Sequence, residues 1–232
     1  MKSRISKRVT PRRPPARRPG AQARGRTPLT RARIVRKALQ LIESEGLGQF
    51  SMRKLGGALK VNPMSLYHHF ASHDALVDAM LDEVAQGITL PPIELHWKAR
   101  LRLLAVEYRG IARRHPHLWP LLVLHRWNTA PALEVLEAIT RCLRDGGLEV
   151  RGALKVFRSL GYFLNGVGLE ENVPLRSAVV PVPQDEQARR FPITLSFWPA
   201  MLEPGSRDAA FDWGLDVLLD AMDRLPRVPA RR

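Results

Sequence analysis

The chain has 232 residues, 45% of them hydrophobic, and a formal net charge of +15 at pH 7. This is ordinary globular composition, and the length allows one large domain, or a small domain and a medium one. No apolar run reaches the roughly 18 residues of a membrane-spanning helix, and no apolar segment follows the basic N-terminus as in a secretory signal. The single cysteine, Cys142, excludes an internal disulfide framework. We therefore expect a cytoplasmic protein without a membrane partner.

Much of the excess charge lies in residues 1–28. This segment contains ten lysines or arginines, five prolines and no acidic residue, which leaves +5 for the remainder of the chain. Such a segment buries too little apolar surface to offset the entropy lost on ordering, so a disordered basic arm is predicted. It could contact nucleic-acid phosphates through counterion release, or it could be a solvated tail without a dedicated role.

The first helical pattern covers residues 30–45 and is followed by Gly46, a residue typical of helix ends. Residues 51–70 then predict two short helices joined by a tight turn. Ser51 suits the N-cap of the first, while Asn62 and Pro63 suit the N-cap and first position of the second.

The second short helix separates its residues onto two faces. Leu66 and Phe70 point one way, as an i, i+4 pair, and Met64, Ser65 and His68 point the other way. The outward face has no charged residue, which is unusual for a helix that faces only solvent. A helix-turn-helix that lays its second helix in the DNA major groove uses such a face, although an ordinary structural helix pair fits the pattern as well.

The rest of the chain also predicts helices. Ser72 caps a fourth helix that runs to about residue 87, and the prolines at 91 and 92 begin a second domain. Further helices are expected over residues 97–114, 118–124, 129–146, 147–171, 191–202 and 208–225, with a long loop at 172–190. The predicted fold is all-α, with a helix-turn-helix domain at residues 29–88 and a larger helical domain at residues 93–226.

Residues 30–85 resemble the DNA-binding domain of the TetR (tetracycline repressor) family. The resemblance is carried by Glu45-Gly46, by residues 50–55, by Val61 in the turn, and by the Leu-Tyr-x-His-Phe run at residues 66–70. It implies a set of residues that touch DNA: Arg53, Pro63, Met64, Ser65, Tyr67, His68, His69 and His73. Of these, Met64, Ser65 and His68 would read bases, and the family often has lysine where this chain has His73.

The second half resembles the C-terminal domain of the tetracycline repressors of that family. Matching features occur in the same order: Trp97, His115, residues 143–148, residues 161–163, residues 169–171 and residues 214–216. The resemblance implies that residues 153–171 and 208–225 form a four-helix bundle with a second subunit, with Gly161, Leu164, Gly214 and Leu218 in the contact. The alternative is an ordinary core within one chain.

The same resemblance implies a ligand pocket, but not one for tetracycline. The histidine and the partner glutamate that hold the drug's magnesium correspond to Leu122 and Glu170, and a drug-binding asparagine corresponds to Leu104. The implied lining suits an apolar or aromatic molecule with one or two polar groups: Leu104, Tyr108, Leu122, His125, Arg126, Trp127 and Phe163. These residues could instead form a closed core.

Enzyme chemistry is not indicated. The chain has no nucleophile elbow, phosphate loop or dinucleotide fingerprint. Its seven histidines do not form a recognisable metal motif, and we expect no catalytic residue, metal site or cofactor. The sequence predicts a repressor that binds a palindromic DNA operator as a homodimer and is released by a small, largely apolar effector. A DNA-binding protein of chromosome organisation or division, without an effector, is the alternative.

Overall fold

The computed structural model describes residues 28–124, 128–172 and 182–228, and this part of the chain is helical. Its only β pairing is an isolated bridge between Leu148 and Arg227. The α-helices are α1 (Arg31–Glu45), α2 (Met52–Leu59), α3 (Pro63–Tyr67), α4 (His73–Gln86), α5 (Trp97–Arg114), α6 (Trp119–Leu124), α7 (Ala130–Asp145), α8 (Val150–Asn172), α9 (Gln184–Arg190), α10 (Pro192–Met201) and α11 (Ser206–Ala221).

Side-chain caps fix where the first four helices begin. Thr30, Ser51 and Ser72 each accept a hydrogen bond from the backbone N–H three residues ahead, at 3.1–3.2 Å. The Asn62 amide oxygen accepts from the backbone N–H of Met64 at 2.9 Å, and Pro63 occupies the first position of α3. These caps confirm the predicted starts of the four helices, because each satisfies an N–H group that has no partner within its helix.

The turn between α2 and α3 depends on two backbone features. Lys60 adopts the left-handed conformation, with φ of 57° and ψ of 41°, which ends α2. A Cβ atom at Gly56 would lie only 3.1 Å from both the Pro63 ring and the Val61 carbonyl oxygen. Glycine at this position therefore lets α3 approach α2 closely, as the helix-turn-helix arrangement requires.

Two apolar cores run through the described residues. The first joins α1–α4 to the end of α5 and to α6, and its fully buried members include Leu66, Met80 and Trp119. The second joins α5, α7, α8 and α11 around Leu143 and Leu215. Because the first core crosses from α4 to α6, a rotation of α4 must disturb packing in the C-terminal half.

Ion pairs connect α5 to α11 and to the end of α8. Lys98 lies 2.6 Å from Asp223, Arg102 pairs with Asp216, and Arg113 lies 2.5 Å from Asp208. The end of α8 is held by a buried pair in which Arg109 Nε donates to Glu171 Oε1 at 3.0 Å. These ion pairs therefore hold both α8 and α11 against α5.

The predicted loop at residues 172–190 is wrong in its second half, which forms α9. Its mixed charges, interpreted as a loop signal, are i, i+4 helical ion pairs: Arg190 lies 2.6 Å from Glu186, and Arg189 lies 3.4 Å from Asp185. Residues 173–181 and the basic arm through residue 27 lie outside the described part. Within that part, no helix is long and apolar enough to cross a membrane.

Candidate nucleic-acid interface and ligand cavity

Helix α3 presents one face to the core and the opposite face to solvent. Leu66 and Phe70 are buried, with 0% and 1% of their surface exposed, as the sequence predicted. Met64 and Tyr67 are 66% and 43% exposed, and His68 is exposed as well. Half-buried positions flank this surface: Pro63, Ser65 and His69. The exposed Met64 and Tyr67 side chains give this short capped helix a surface that fits into a groove of a binding partner.

Arg31 fixes the end of α3, a role that sequence reasoning missed. Its guanidinium donates to the backbone carbonyl of His69 and lies 4.1 Å from the centre of the Phe70 ring. The hydrogen bond satisfies a carbonyl at the end of α3, and the cation–π contact adds to it. No spacing rule links residues 38 positions apart, so the sequence carried no signal of this contact.

The basic residues near α3 differ in how free they are to bind an anion. Arg53 is exposed and has no ion-pair partner within the described part of the chain, whereas Lys54 lies 2.7 Å from Glu45. His73 Nδ1 lies 3.2 Å from Asp74 Oδ1, and its ring packs against Phe50 with centroids 5.6 Å apart. Arg53 is therefore the better placed of these cations for a phosphate contact.

A cavity of about 460 Å³ lies between α5, α7 and α8. Ile88, two residues beyond the end of α4, forms part of its wall, and α6 contributes Val123. The apolar remainder of the wall is Leu101, Leu104, Ala105, Val135, Leu136, Ile139, Phe157, Leu160, Gly161 and Leu164. This volume lies in the range of pockets for small organic molecules.

Few polar groups reach the cavity. The Tyr108 hydroxyl donates to the Asn165 side-chain oxygen at 3.0 Å, and the Tyr108 ring meets Trp119 edge-on with centroids 4.9 Å apart. Burial raises the pKa of Tyr108 well above its usual range, so its hydroxyl stays protonated. Arg158 and Tyr162 are the other polar members of the wall, and both are exposed to solvent.

The structure corrects the predicted lining of the pocket. Leu104 and Tyr108 do line it, but Leu122 is buried in the first core and does not. Phe163 stacks on Phe211, with ring centroids 5.7 Å apart, and also lies outside the wall. The other predicted members lie outside the described residues: His125, Arg126 and Trp127. Phe163 packs on Phe211 of α11 and Leu122 packs into the first core, so both side chains have partners away from the cavity.

The lining predicted from the sequence also omitted α7, whose Val135, Leu136 and Ile139 face the cavity. Their i, i+1, i+4 spacing marked an apolar stripe in the sequence, but a stripe alone does not distinguish a cavity wall from a core. Asn165 and Arg158 were missed as well, because a polar residue on a long helix gives no sign of which space it faces.

In the single chain Leu164 is buried, whereas Gly161, Gly214 and Leu218 are partly exposed, so the predicted dimer contact stays a prediction. Gly161 and Leu164 line the cavity, and Leu218 packs on the second core. A Cβ at Gly214 would lie 2.8 Å from Phe163, so this glycine serves an approach of α11 to α8 within one chain. Other apolar residues of these two helices are exposed: Leu154 and Tyr162 on α8, and Trp213 and Val217 on α11.

Glu170, at the position of the metal-binding glutamate, lies 3.3 Å from Arg207 and forms an ion pair with it. Across the residues that the structure describes, no group of three or more potential metal ligands comes together.

Comparison with protein families decides the identity of this architecture. The model "Bacterial regulatory proteins, tetR family" matches residues 34–80, and the model "Tetracyclin repressor-like, C-terminal domain" matches residues 90–225. The chain belongs to the TetR family of transcriptional regulators. Both halves match, so the assignment covers the DNA-binding helices and the helices that surround the cavity.

Individual TetR-family proteins agree with this assignment. The class A tetracycline repressor from transposon 1721 of Escherichia coli is 30% identical over 199 residues, which cover 82% of this chain and 88% of that protein. The transcriptional repressor DrrR1 of Streptomyces coeruleorubidus is 35% identical over 130 residues, or 54% of this chain and 48% of its own length. These relatives are transcriptional regulators and not enzymes.

A solved structure supports the same fold. The Streptomyces coelicolor TetR-family protein ActR, in complex with actinorhodin, superposes with a TM-score of 0.69 at 25% identity and covers 85% of this chain and 98% of its own. Repressor relatives and ligand-bound neighbours together indicate that this TetR-family chain is a DNA-binding regulator that responds to a ligand.

Proposed function

We propose that this TetR-family chain is a repressor that binds a palindromic operator as a homodimer and releases it when a small, largely apolar molecule enters the cavity. The observation that carries the proposal is the position of Ile88, which lies two residues beyond the end of α4 and forms part of the cavity wall. A ligand that presses on this wall acts on the helix that packs directly against α1 of the DNA-binding domain.

Three further contacts support a mechanical connection between the two halves. The Thr129 hydroxyl, just before α7, donates to the Asp82 carboxylate on α4. His117 Nδ1, before α6, lies 3.0 Å from the Glu43 backbone carbonyl on α1. Tyr108 lines the cavity and packs on both apolar cores. Packed elements with few voids rearrange between discrete states, so a change of wall shape favours a different position of α4.

We propose that the exposed surface of α3 reads DNA. Met64, Ser65 and His68 would meet base edges in the major groove, while Arg53, Tyr67, His69 and His73 would meet phosphates, with Pro63 at the approach. A single helix of this length contacts few base pairs, which is too little for a unique genomic site. Two copies on a two-fold axis would read half-sites about 34–36 Å apart, one turn of DNA.

The exposed apolar residues of α8 and α11 support a dimer of this kind. Tyr162 and Trp213 are 73% and 71% exposed in the single chain, and such large apolar side chains on neighbouring helices favour burial against a second copy. The proposed interface includes these exposed residues beside the contacts predicted at Gly161, Leu164, Gly214 and Leu218.

Selection of bound fragments from genomic DNA, followed by affinity measurement at fixed salt, tests the proposed function. We expect a palindromic consensus and a two-chain stoichiometry for each site. Addition of cell extract or of compounds that bind the cavity should weaken operator binding. If neither cell extract nor any cavity ligand changes the operator affinity, the result would instead support the effector-independent alternative.

A further inference from the structure

We propose that the effector is an apolar, ring-bodied molecule that carries one anionic group, and that Arg158 at the edge of the cavity binds this group. The inference rests on the proposed effector function of the cavity and specifies the chemical class of the ligand. Three features of the described residues carry it: the charge of the cavity wall, the lack of an ion-pair partner for that charge among these residues, and the arrangement of the remaining polar groups.

Arg158 is the only cationic side chain in the described wall of the cavity. Within the described part of the chain no carboxylate lies within ion-pair distance of its guanidinium, whereas the basic residues of α5 are extensively paired. A guanidinium presents five N–H donors in a planar fork that matches a carboxylate or a sulfonate. Arg158 therefore offers an unused anion site at the entrance of an apolar space.

The electrostatic surroundings reinforce this site. Arg151, Lys155 and Arg158 follow at i, i+4 and i+7 and therefore lie on one exposed face of α8. The first twenty residues of this helix, 150–169, contain no acidic residue. The field at the cavity entrance consequently attracts an anion.

The other end of a bound molecule would meet a neutral polar pair. The Tyr108 hydroxyl donates a hydrogen bond to the side-chain oxygen of Asn165. The Asn165 amide therefore retains its N–H donors for a carbonyl or hydroxyl of the ligand. Because burial keeps Tyr108 neutral, this inner end has no charge to balance a second anion or a cation. The wall between the two polar positions is aliphatic and aromatic. A molecule with one charged end and an apolar ring body fits this order of groups.

Two fluorescent dyes that share one ring body test the inference. Anilinonaphthalene sulfonate carries a sulfonate, and its parent phenylnaphthylamine lacks it and is uncharged. With the full-length protein, Arg158→Gln should weaken binding of the sulfonated dye about tenfold and leave the uncharged dye unaffected, because only one of them loses a charge-assisted hydrogen bond. Arg158→Lys should restore most of the loss. Added salt should weaken only the sulfonated dye.

Arg144→Gln is the matched control, since Arg144 is a 73% exposed arginine at the end of α7 and does not line the cavity. Gly161→Phe shows whether the dyes occupy the cavity: a Cβ at Gly161 meets no atom within 4 Å, so the new ring enters the open space without a backbone clash. It should displace both dyes. Light scattering on each variant reports the assembly state.

The outcomes separate this inference from the proposed function. If neither dye binds, or if Gly161→Phe displaces neither, the cavity is not a ligand site and the proposed function fails. If both dyes leave with Gly161→Phe, but Arg158→Gln weakens both equally or neither, the anion site is wrong while the cavity function stands. A loss of dimer in Arg158→Gln would also overturn the inference, since it would assign Arg158 to the subunit contact.

Discussion

At the scale of single residues, two glycines of α8 lie in opposite environments. A Cβ at Gly168 would overlap the buried indole of Trp119, whereas a Cβ at Gly166 meets nothing within 4 Å. We expect Gly168→Ala to destabilise the protein by about 1–3 kcal/mol through overpacking. Gly166→Ala should be neutral or stabilising by up to about 1 kcal/mol, because alanine is the better helix former. Urea unfolding of both variants measures the difference, and equal stabilities would contradict the described contact.

The exposed face of α3 gives a second residue-scale prediction. If His68 reads a base, His68→Ala should relax discrimination at one or two base pairs by about 1–3 kcal/mol. If Tyr67 holds a phosphate, Tyr67→Phe should weaken binding to all sequences similarly and leave the consensus unchanged. Competition binding against a set of single-base operator variants measures both effects. Uniform losses on every sequence for both variants would contradict the assignment of His68.

These residues also mark what the sequence could and could not predict. The caps at Ser51, Asn62 and Ser72 depend on residues two or three positions away, so local rules located α2, α3 and α4 correctly. The contacts of Gly168 with Trp119 and of Gly214 with Phe163 join distant residues. A local pattern identifies an apolar stripe but not its partner, which is why Leu122 and Phe163 were wrongly placed in the cavity wall.

At the scale of secondary-structure elements, the end of α8 depends on a buried charge. Burial alone would raise the pKa of Glu171, but hydrogen bonds and attraction from Arg109 and Arg113 hold that pKa below its usual value. Asp208 at the start of α11 also has a lowered pKa, because Arg113 donates to it. Both carboxylates, when ionised, therefore strengthen the contact of α5 with α8 and α11 at this point.

Glu171→Gln should destabilise the protein by about 2–3 kcal/mol at pH 7, because buried Arg109 loses its buried partner and keeps only the exposed Asp208, 2.8 Å away. A lowered native pKa gives stability that is complete above the unfolded-state pKa and lost as pH falls through the native pKa. The difference between wild type and variant should therefore shrink below about pH 4. Urea unfolding at several pH values measures it.

Glu170→Gln provides the control for this experiment. Glu170 is the adjacent residue, its side chain is 55% exposed, and it lies 3.3 Å from Arg207. An exposed pair of this kind contributes no more than about 1 kcal/mol, so its removal should change the unfolding free energy little at any pH. Equal losses in the two variants would show that burial of Glu171 does not determine its contribution.

At the scale of the whole molecule, the dimer contact can be tested with exposed residues. Trp213→Asp should convert the protein to monomers in light scattering, because it places a charge in the centre of the proposed apolar contact. Leu133→Asp on α7 is the control, since Leu133 is 50% exposed and lies on another helix. Helical circular dichroism should be unchanged in both. A Trp213→Asp variant that remains dimeric would place the contact elsewhere.

Operator binding depends on that dimer in the proposed mechanism. A monomer presents one α3 and one half-site, so Trp213→Asp should lose specific binding and keep only weak, salt-dependent binding to any sequence. Gel-shift titration of the operator against scrambled DNA measures the ratio. Unreduced specific affinity in a monomeric variant would show that a single α3 suffices.

The most direct test of the account measures the coupling between the cavity and DNA. A ligand is first identified by thermal shift and assigned to the cavity by its loss in Gly161→Phe. Operator affinity is then measured with and without saturating ligand, and ligand affinity with and without saturating operator. The account predicts that the ligand weakens operator binding by about 5-fold to 150-fold and that the operator weakens ligand binding by the same factor. An operator affinity that is identical with the cavity empty and filled would contradict the account.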